Sequence, residues 1–108
     1  NIQFDPESAV LRPEEIERLK RIAEILKKYK DRGVLIIGHT TDKGTEEGRQ
    51  KLSLERAKSV IDFLIKEDAI NIKKSMYMGK GGKEPIAPND TIEGMKKNRR
   101  VEIYILEE

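Results

Sequence analysis

The chain reads as an α/β protein of the α+β kind, a two-layer sandwich of strands and helices in the order β-α-β-α-β-(α)-β. Three features of its 108 residues predict this. Apolar residues alternate with polar ones at both ends, at Ile2 and Phe4 and again at Val101, Ile103 and Ile105. A continuously aliphatic run, Val34-Leu35-Ile36-Ile37, lies between them. Two long stretches carry apolar residues at three- and four-residue steps, the period of a helix with one buried face. Helices that alternate with strands cover one face of a sheet, while periodicity leaves the strand order open.

Ile2 and Phe4 predict a short first strand, and Asp5-Pro6-Glu7-Ser8 turns the chain. From Pro13, a residue suited to the first helical position, Ile16, Leu19, Ile22, Ala23, Leu26 and Tyr29 form one apolar stripe. Glu14 and Glu15 open this helix and Lys27, Lys28 and Lys30 end it, each sign favourable to the helix dipole, before Gly33 stops it. Val34 to Ile37 is β-branched and unbroken, which predicts a central strand covered on both faces. A polar loop is predicted from His39 to about Gly48. Leu52, Ala57, Val60, Ile61 and Leu64 then predict a second helix ending near Lys66. Ser75 to Met78 predicts a third strand, and the turns around Gly79, Gly81, Gly82 and Pro85 follow it. Thr91 caps a short helix running through Lys97, and Val101 to Ile105 closes the fold as a strand with one apolar face.

Length allows one domain spanning 1–108, large enough for a single core and too small for a second. Charged residues make up 39% of the chain against 36% hydrophobic, so the domain is heavily solvated. Their signs are interleaved and the net charge is only +2, which implies no broad field for nucleic acid. Around Lys96 to Arg100, the most basic stretch, no aromatic stacking platform accompanies the cations. Cysteine is absent, which excludes disulfides and thiolate metal sites. No aliphatic run approaches the roughly twenty residues needed to span a bilayer. The start at Asn1, without Met or a leader pattern, predicts a segment of a longer protein.

Gly38-His39-Thr40-Thr41-Asp42-Lys43-Gly44 combines a strand exit with a loop, and Leu52-Ser53-Leu54-Glu55-Arg56-Ala57 places a guanidinium on the helix that follows. Together with Phe4-Asp5, Pro85-Ile86-Ala87, Asn89, Thr91, Glu93-Gly94 and Asn98 to Ile103, these motifs resemble, in order and spacing, the OmpA-like domain, the cell-wall anchoring module of OmpA, Pal and MotB proteins. The Gly44-Thr45-Glu46-Glu47-Gly48-Arg49 loop is similar to that of spirochaete-type members. The resemblance implies a sandwich with a mixed sheet and helices on one face. It also implies a periplasmic location at the outer membrane or cell wall, a non-enzymatic role without a cofactor, and the peptide stem of peptidoglycan as non-covalent partner. Envelope proteins are further implied partners.

In such domains an Asp at the strand exit grips the ammonium of the stem's diamino acid and a helix Arg grips its carboxylate. The Arg maps onto Arg56 and a second cation onto Arg99, while the Asp position, fifteen residues before Arg56, holds Thr41. The other family positions fall on Glu7, Arg49 and Met95. The ligand-binding set implied is therefore Glu7, Thr41, Asp42, Arg49, Arg56 and Arg99, with Asp42, one residue on, a possible replacement for the Asp but expected to point elsewhere. Thr41 can accept from an ammonium without neutralising it, and losing one charge-assisted contact in a buried pocket costs about 2–5 kcal/mol. Two readings stay open: a wall-binding domain with a weakened or abolished site, and a structural or protein-interaction module that keeps the fold alone.

Other chemistries fit less well. His39, the single histidine, makes a poor metal site or proton relay and is expected to hydrogen-bond the backbone at the strand end. Ser53 lacks a nucleophile elbow and is expected to satisfy backbone amides. Asp42, Glu46 and Glu47 lack the ligand alternation of a calcium loop. Gly79-Lys80-Gly81-Gly82-Lys83 is followed by Glu84-Pro85 where a phosphate loop needs Ser or Thr and a helix, so it reads as a turn.

Overall fold

A computed structural model describes residues 1–107. Four strands, β1 (Ile2–Gln3), β2 (Val34–Gly38), β3 (Met76–Gly79) and β4 (Arg100–Ile105), form one sheet in the order β1-β4-β2-β3. β2 runs parallel to β3 and antiparallel to β4, and β1 runs antiparallel to β4, so the sheet is mixed. Three helices accompany it: α1 (Pro13–Leu26), α2 (Glu46–Lys66) and α3 (Ile92–Asn98). Short 3-10 turns at Lys27–Tyr29 and Ile72–Lys74 extend α1 and precede β3.

Alternation decides which side of the sheet is covered. Val34, Ile36 and Val101 join Ile2 and Phe4 beneath Leu19, Ala23 and Leu26 of α1 and Ala57, Val60, Ile61 and Leu64 of α2. The opposite parity, Leu35, Ile37, Met76, Met78 and Tyr104, lines up in register on the other face. There Met76 is 59% exposed and Ile37 only 6%, so this face is open at one end and covered at the other. The segment Glu84 to Asn89 is tied to β4 by Arg100, whose Nη2 donates to Glu84 O, and is held by Asn98: its Oδ1 accepts from Ile86 N and Ala87 N, and its Nδ2 donates to Ala87 O and to Asn89 Oδ1.

α2 lies against the sheet with backbone almost touching backbone. A Cβ on Gly38 would stand 1.9 Å from Ser53 O, and one on Gly79 would stand 2.3 Å from Ser53 Oγ. Ser53 does not serve first-turn amides, as its predicted helix-start position suggested. It is one turn or more inside α2, donates to Gln50 O at 2.9 Å and accepts from Gly81 N at 2.9 Å, which ties the glycine turn after β3 to the helix.

Two boundaries differ from expectation. α2 starts at Glu46, six residues before the first residue of its apolar stripe, because Thr45 caps it by accepting from Gly48 N and Glu46 and Glu47 favour the positive helix end. β1 is two residues long, and Phe4 continues its pairing only through a single bond to Arg99 O at 3.0 Å.

Candidate functional site

The loop leaving β2, the first three turns of α2 and the turn after β1 enclose a cavity of about 490 Å³. Its helix wall carries Thr45, Gly48, Arg49, Leu52 and Arg56, which recur at three- and four-residue steps and so share one face of α2. Pro6 and Glu7 form a second wall, Thr40, Thr41, Lys43 and Gly44 a third, and Met95 and Arg99 from the end of α3 close the space. Of the predicted site residues, Glu7, Thr41, Arg49, Arg56 and Arg99 are thus brought together. Asp42 is left outside: its carboxylate is about half exposed and lies 3.6 Å from Lys43 Nζ.

Arg56 is 1% exposed and most of its donors are already used. Nε donates to Ser8 O at 2.8 Å, Nη1 to His39 O at 3.0 Å and Nη2 to Asp5 O at 3.0 Å. A guanidinium has five N–H groups, so two remain for anything else. The ring of Phe4 lies 5.5 Å from its central carbon, a cation–π distance. Burial, with Arg99 adding repulsion and Glu7 opposing it, pulls the guanidinium down to about 10, which leaves it charged at neutral pH.

Arg99 is less committed. Its Nε donates to Phe4 O at 2.9 Å, and no partner for its terminal nitrogens occurs among the described residues. The open fork at this cavity therefore belongs to Arg99 rather than to Arg56. Arg49 bonds through Nη1 to Asp42 O at 3.1 Å and to Gly44 O, which draws the loop onto α2, while its Nε is buried without a partner among the described residues. Thr41 Oγ1 accepts from Lys43 N at 3.3 Å.

Behind the loop, on the far face of the sheet, His39 corrects the expectation of a backbone bond. Its Nε2 meets Glu102 Oε1 at 2.9 Å, and Glu102 also receives Arg100 at 3.0 Å and Tyr104 OH at 3.0 Å. An ionised carboxylate only accepts, so Nε2 carries the proton and Nδ1 is a buried lone pair without a partner among the described residues. Burial holds the His39 pKa below its usual value despite Glu102. For Glu102, burial pushes upward, but the hydrogen bonds from His39 and Arg100 prevail and the carboxyl sits below its usual range.

Lys43, Thr45 and Leu52 are cavity residues that sequence reasoning passed over. The signal for two of them was available: Thr45 and Leu52 fall on the same helical stripe as Arg49 and Arg56 once α2 is extended to its true start. Lys43 carried no such signal.

Comparison with known proteins identifies the family and the fold. Residues 3–99 match the OmpA family model. The probable lipoprotein YiaD of Escherichia coli strain K12 is 39% identical over 97% of this chain and 48% of its own length. The peptidoglycan-binding protein ArfA of Mycobacterium tuberculosis strain H37Rv is 40% identical over 96% of this chain and 32% of its own length. This chain thus spans less than half of either relative. Among solved structures, the C-terminal domain of Helicobacter pylori MotB superposes with a TM-score of 0.90 at 29% identity, covering 99% of this chain and 84% of that one. With the family model covering all but its two ends, the chain belongs to the OmpA family.

Proposed function

We propose that this chain is a non-enzymatic cell-envelope module, working in the periplasm at the outer membrane or cell wall, whose cleft engages the peptide stem of peptidoglycan without covalent chemistry. The observation that carries this reading is the cavity between the Asp5–Ser8 turn and α2. It is sized for an amino-acid side chain with its neighbours and lined by the open fork of Arg99 beside the buried charge of Arg56. The relative whose name declares peptidoglycan binding, at 40% identity, supports the same reading. Thr41 stands where a carboxylate would neutralise the ligand's ammonium, so the grip is weaker than an Asp at that position would make it.

Calorimetric titration with a diaminopimelate-containing muropeptide tests this. Saturable binding is expected from the unchanged chain, loss of binding from Arg99→Ala, and tighter binding from Thr41→Asp by about tenfold or more. No heat at millimolar ligand, from either the unchanged chain or Thr41→Asp, overturns it. A second reading, a structural or protein-interaction module without a wall ligand, is favoured by one observation: three donors of Arg56 are spent on backbone carbonyls, as in a purely architectural arginine.

A further inference from the structure

We infer that Glu7 supplies the carboxylate that grips the ammonium of the diamino acid in this cleft, doing from the first turn what Thr41 cannot do from the strand exit. The inference rests on the peptide-stem reading above and sharpens it to one residue.

The backbone carries the first part of the argument. Asp5 to Ser8 is a four-residue turn closed by Ser8 N donating to Asp5 O at 3.2 Å, with Pro6 in second place and Glu7 third at φ +54°. That is the pattern of a type II turn, whose third residue is ordinarily Gly or Asn because a side chain in the left-handed region crowds its own backbone. A glutamate held there is a strained choice, and such strain collects at functional positions.

Arg56 fixes where the glutamate stands. Its Nη2 and Nε bond the carbonyls of Asp5 and Ser8, one on each side of Glu7, so the turn is stapled to α2 and its tip lies on the cavity wall. Two of the three carbonyls that consume Arg56 therefore serve to present Glu7.

Charge supplies the remaining part. Glu7 is the one acidic residue lining the cavity among the described residues, facing Lys43, Arg49, Arg56 and Arg99. It is exposed and has no hydrogen bond or ion pair among the described residues, although many of the chain's other surface carboxylates, such as Asp5, Asp62 and Asp68, pair with a nearby cation. Its field still reaches Arg56, whose charged form it favours. The other candidates are occupied: the Thr41 hydroxyl takes Lys43 N, and Asp42 faces Lys43 outside the cavity. A ligand carrying an ammonium and a carboxylate on one carbon would find Glu7 for the first and the terminal nitrogens of Arg99 for the second.

The test is calorimetry with a soluble stem tripeptide ending in diaminopimelate, run beside an analogue that lacks the side-chain amine. Glu7→Gln, which keeps shape and strain but not charge, should bind the amine-bearing peptide at least about tenfold more weakly and the amine-free analogue as the unchanged chain does. Adding Thr41→Asp to Glu7→Gln should restore the loss. Glu7→Gly should also lose the amine-bearing peptide, yet keep or raise Tm by a few degrees because glycine relaxes the left-handed turn. Equal affinity of Glu7→Gln and the unchanged chain overturns the inference and leaves wall binding standing. Binding by Thr41→Asp but not by the unchanged chain also overturns it, since Glu7 then fails to replace the missing charge. Silence from both removes the stem-peptide reading itself.

Discussion

Two nearly fully buried arginines flank the exit of β2, Arg56 at 1% exposure on the helix side and Arg100 at 2% on the far side, and their surroundings differ in kind. Arg100 is bonded to the carboxylate of Glu102 at 3.0 Å, and Glu102 in turn holds His39 and Tyr104. Arg56 meets three carbonyl oxygens and, among the described residues, no carboxylate. Each guanidinium donates through all three of its nitrogens, but only Arg100 is neutralised. Carbonyls orient a cation without cancelling its charge, so the helix side keeps a positive field available to an anion while the far side is electrostatically closed. His39 joins the two, its carbonyl accepting from Arg56 at 3.0 Å and its ring resting on the partner of Arg100.

Removing Arg56 should do the greatest damage. Arg56→Ala strands three carbonyls at the junction of the first turn, β2 and α2, an expected cost of about 3–5 kcal/mol. For a domain of this size that lowers Tm by about 15 °C or more, which thermal unfolding followed by circular dichroism would register. Arg56→Lys should recover little, because one ammonium cannot span three acceptors in a plane.

Breaking the far side should be milder. Glu102→Gln leaves Arg100 without its counter-charge and His39 Nε2 with a weaker, neutral acceptor, with an expected loss of about 2 kcal/mol and no change in affinity for a cavity ligand. Chemical denaturation paired with the calorimetric titration separates those two quantities.

The same pair gives a pH dependence whose sign follows from the shifts. His39 is depressed, so below its ordinary value of 6.5 the unfolded chain binds the proton more readily and stability falls with pH. Glu102 is also depressed, so its contribution is present above 4.5 and is lost as pH drops below that. Tm should therefore decline from neutral pH to about 5, and further beyond, and His39→Gln should flatten the upper part of that decline. An unchanged slope in the variant would assign the loss to other groups.

The smallest effect is expected at Asp42. Its carboxylate is exposed, paired loosely with Lys43 and outside the cavity, so Asp42→Asn should alter stability by less than about 0.5 kcal/mol and leave ligand affinity untouched. A clear loss of affinity would show that the loop re-folds around a ligand.

Much of the architecture was legible because it is periodic. The stripe from Ile16 to Leu26 and the alternation from Val101 to Ile105 each repeat often enough to declare an element and its buried face. The start of α2 was hidden because Glu46 to Lys51 carries no apolar residue, and its helicity comes from a cap and the field of the helix end. The cavity was legible in part: the family resemblance implied Arg56, Arg99 and Thr41, but not how many donors each arginine has left.

By itself the amino-acid order determined which segments are helix and which are strand and where the turns fall, since these depend on neighbours a few positions apart, and which family the chain resembles, since that depends on the order and spacing of motifs along the chain. Strand order, the spending of Arg56 on the first turn, the pairing of His39 with Glu102 and the exclusion of Asp42 from the cavity were decided only by the fold. Each depends on groups that are distant in sequence, and only packing reveals which charges are cancelled and which are left facing a ligand.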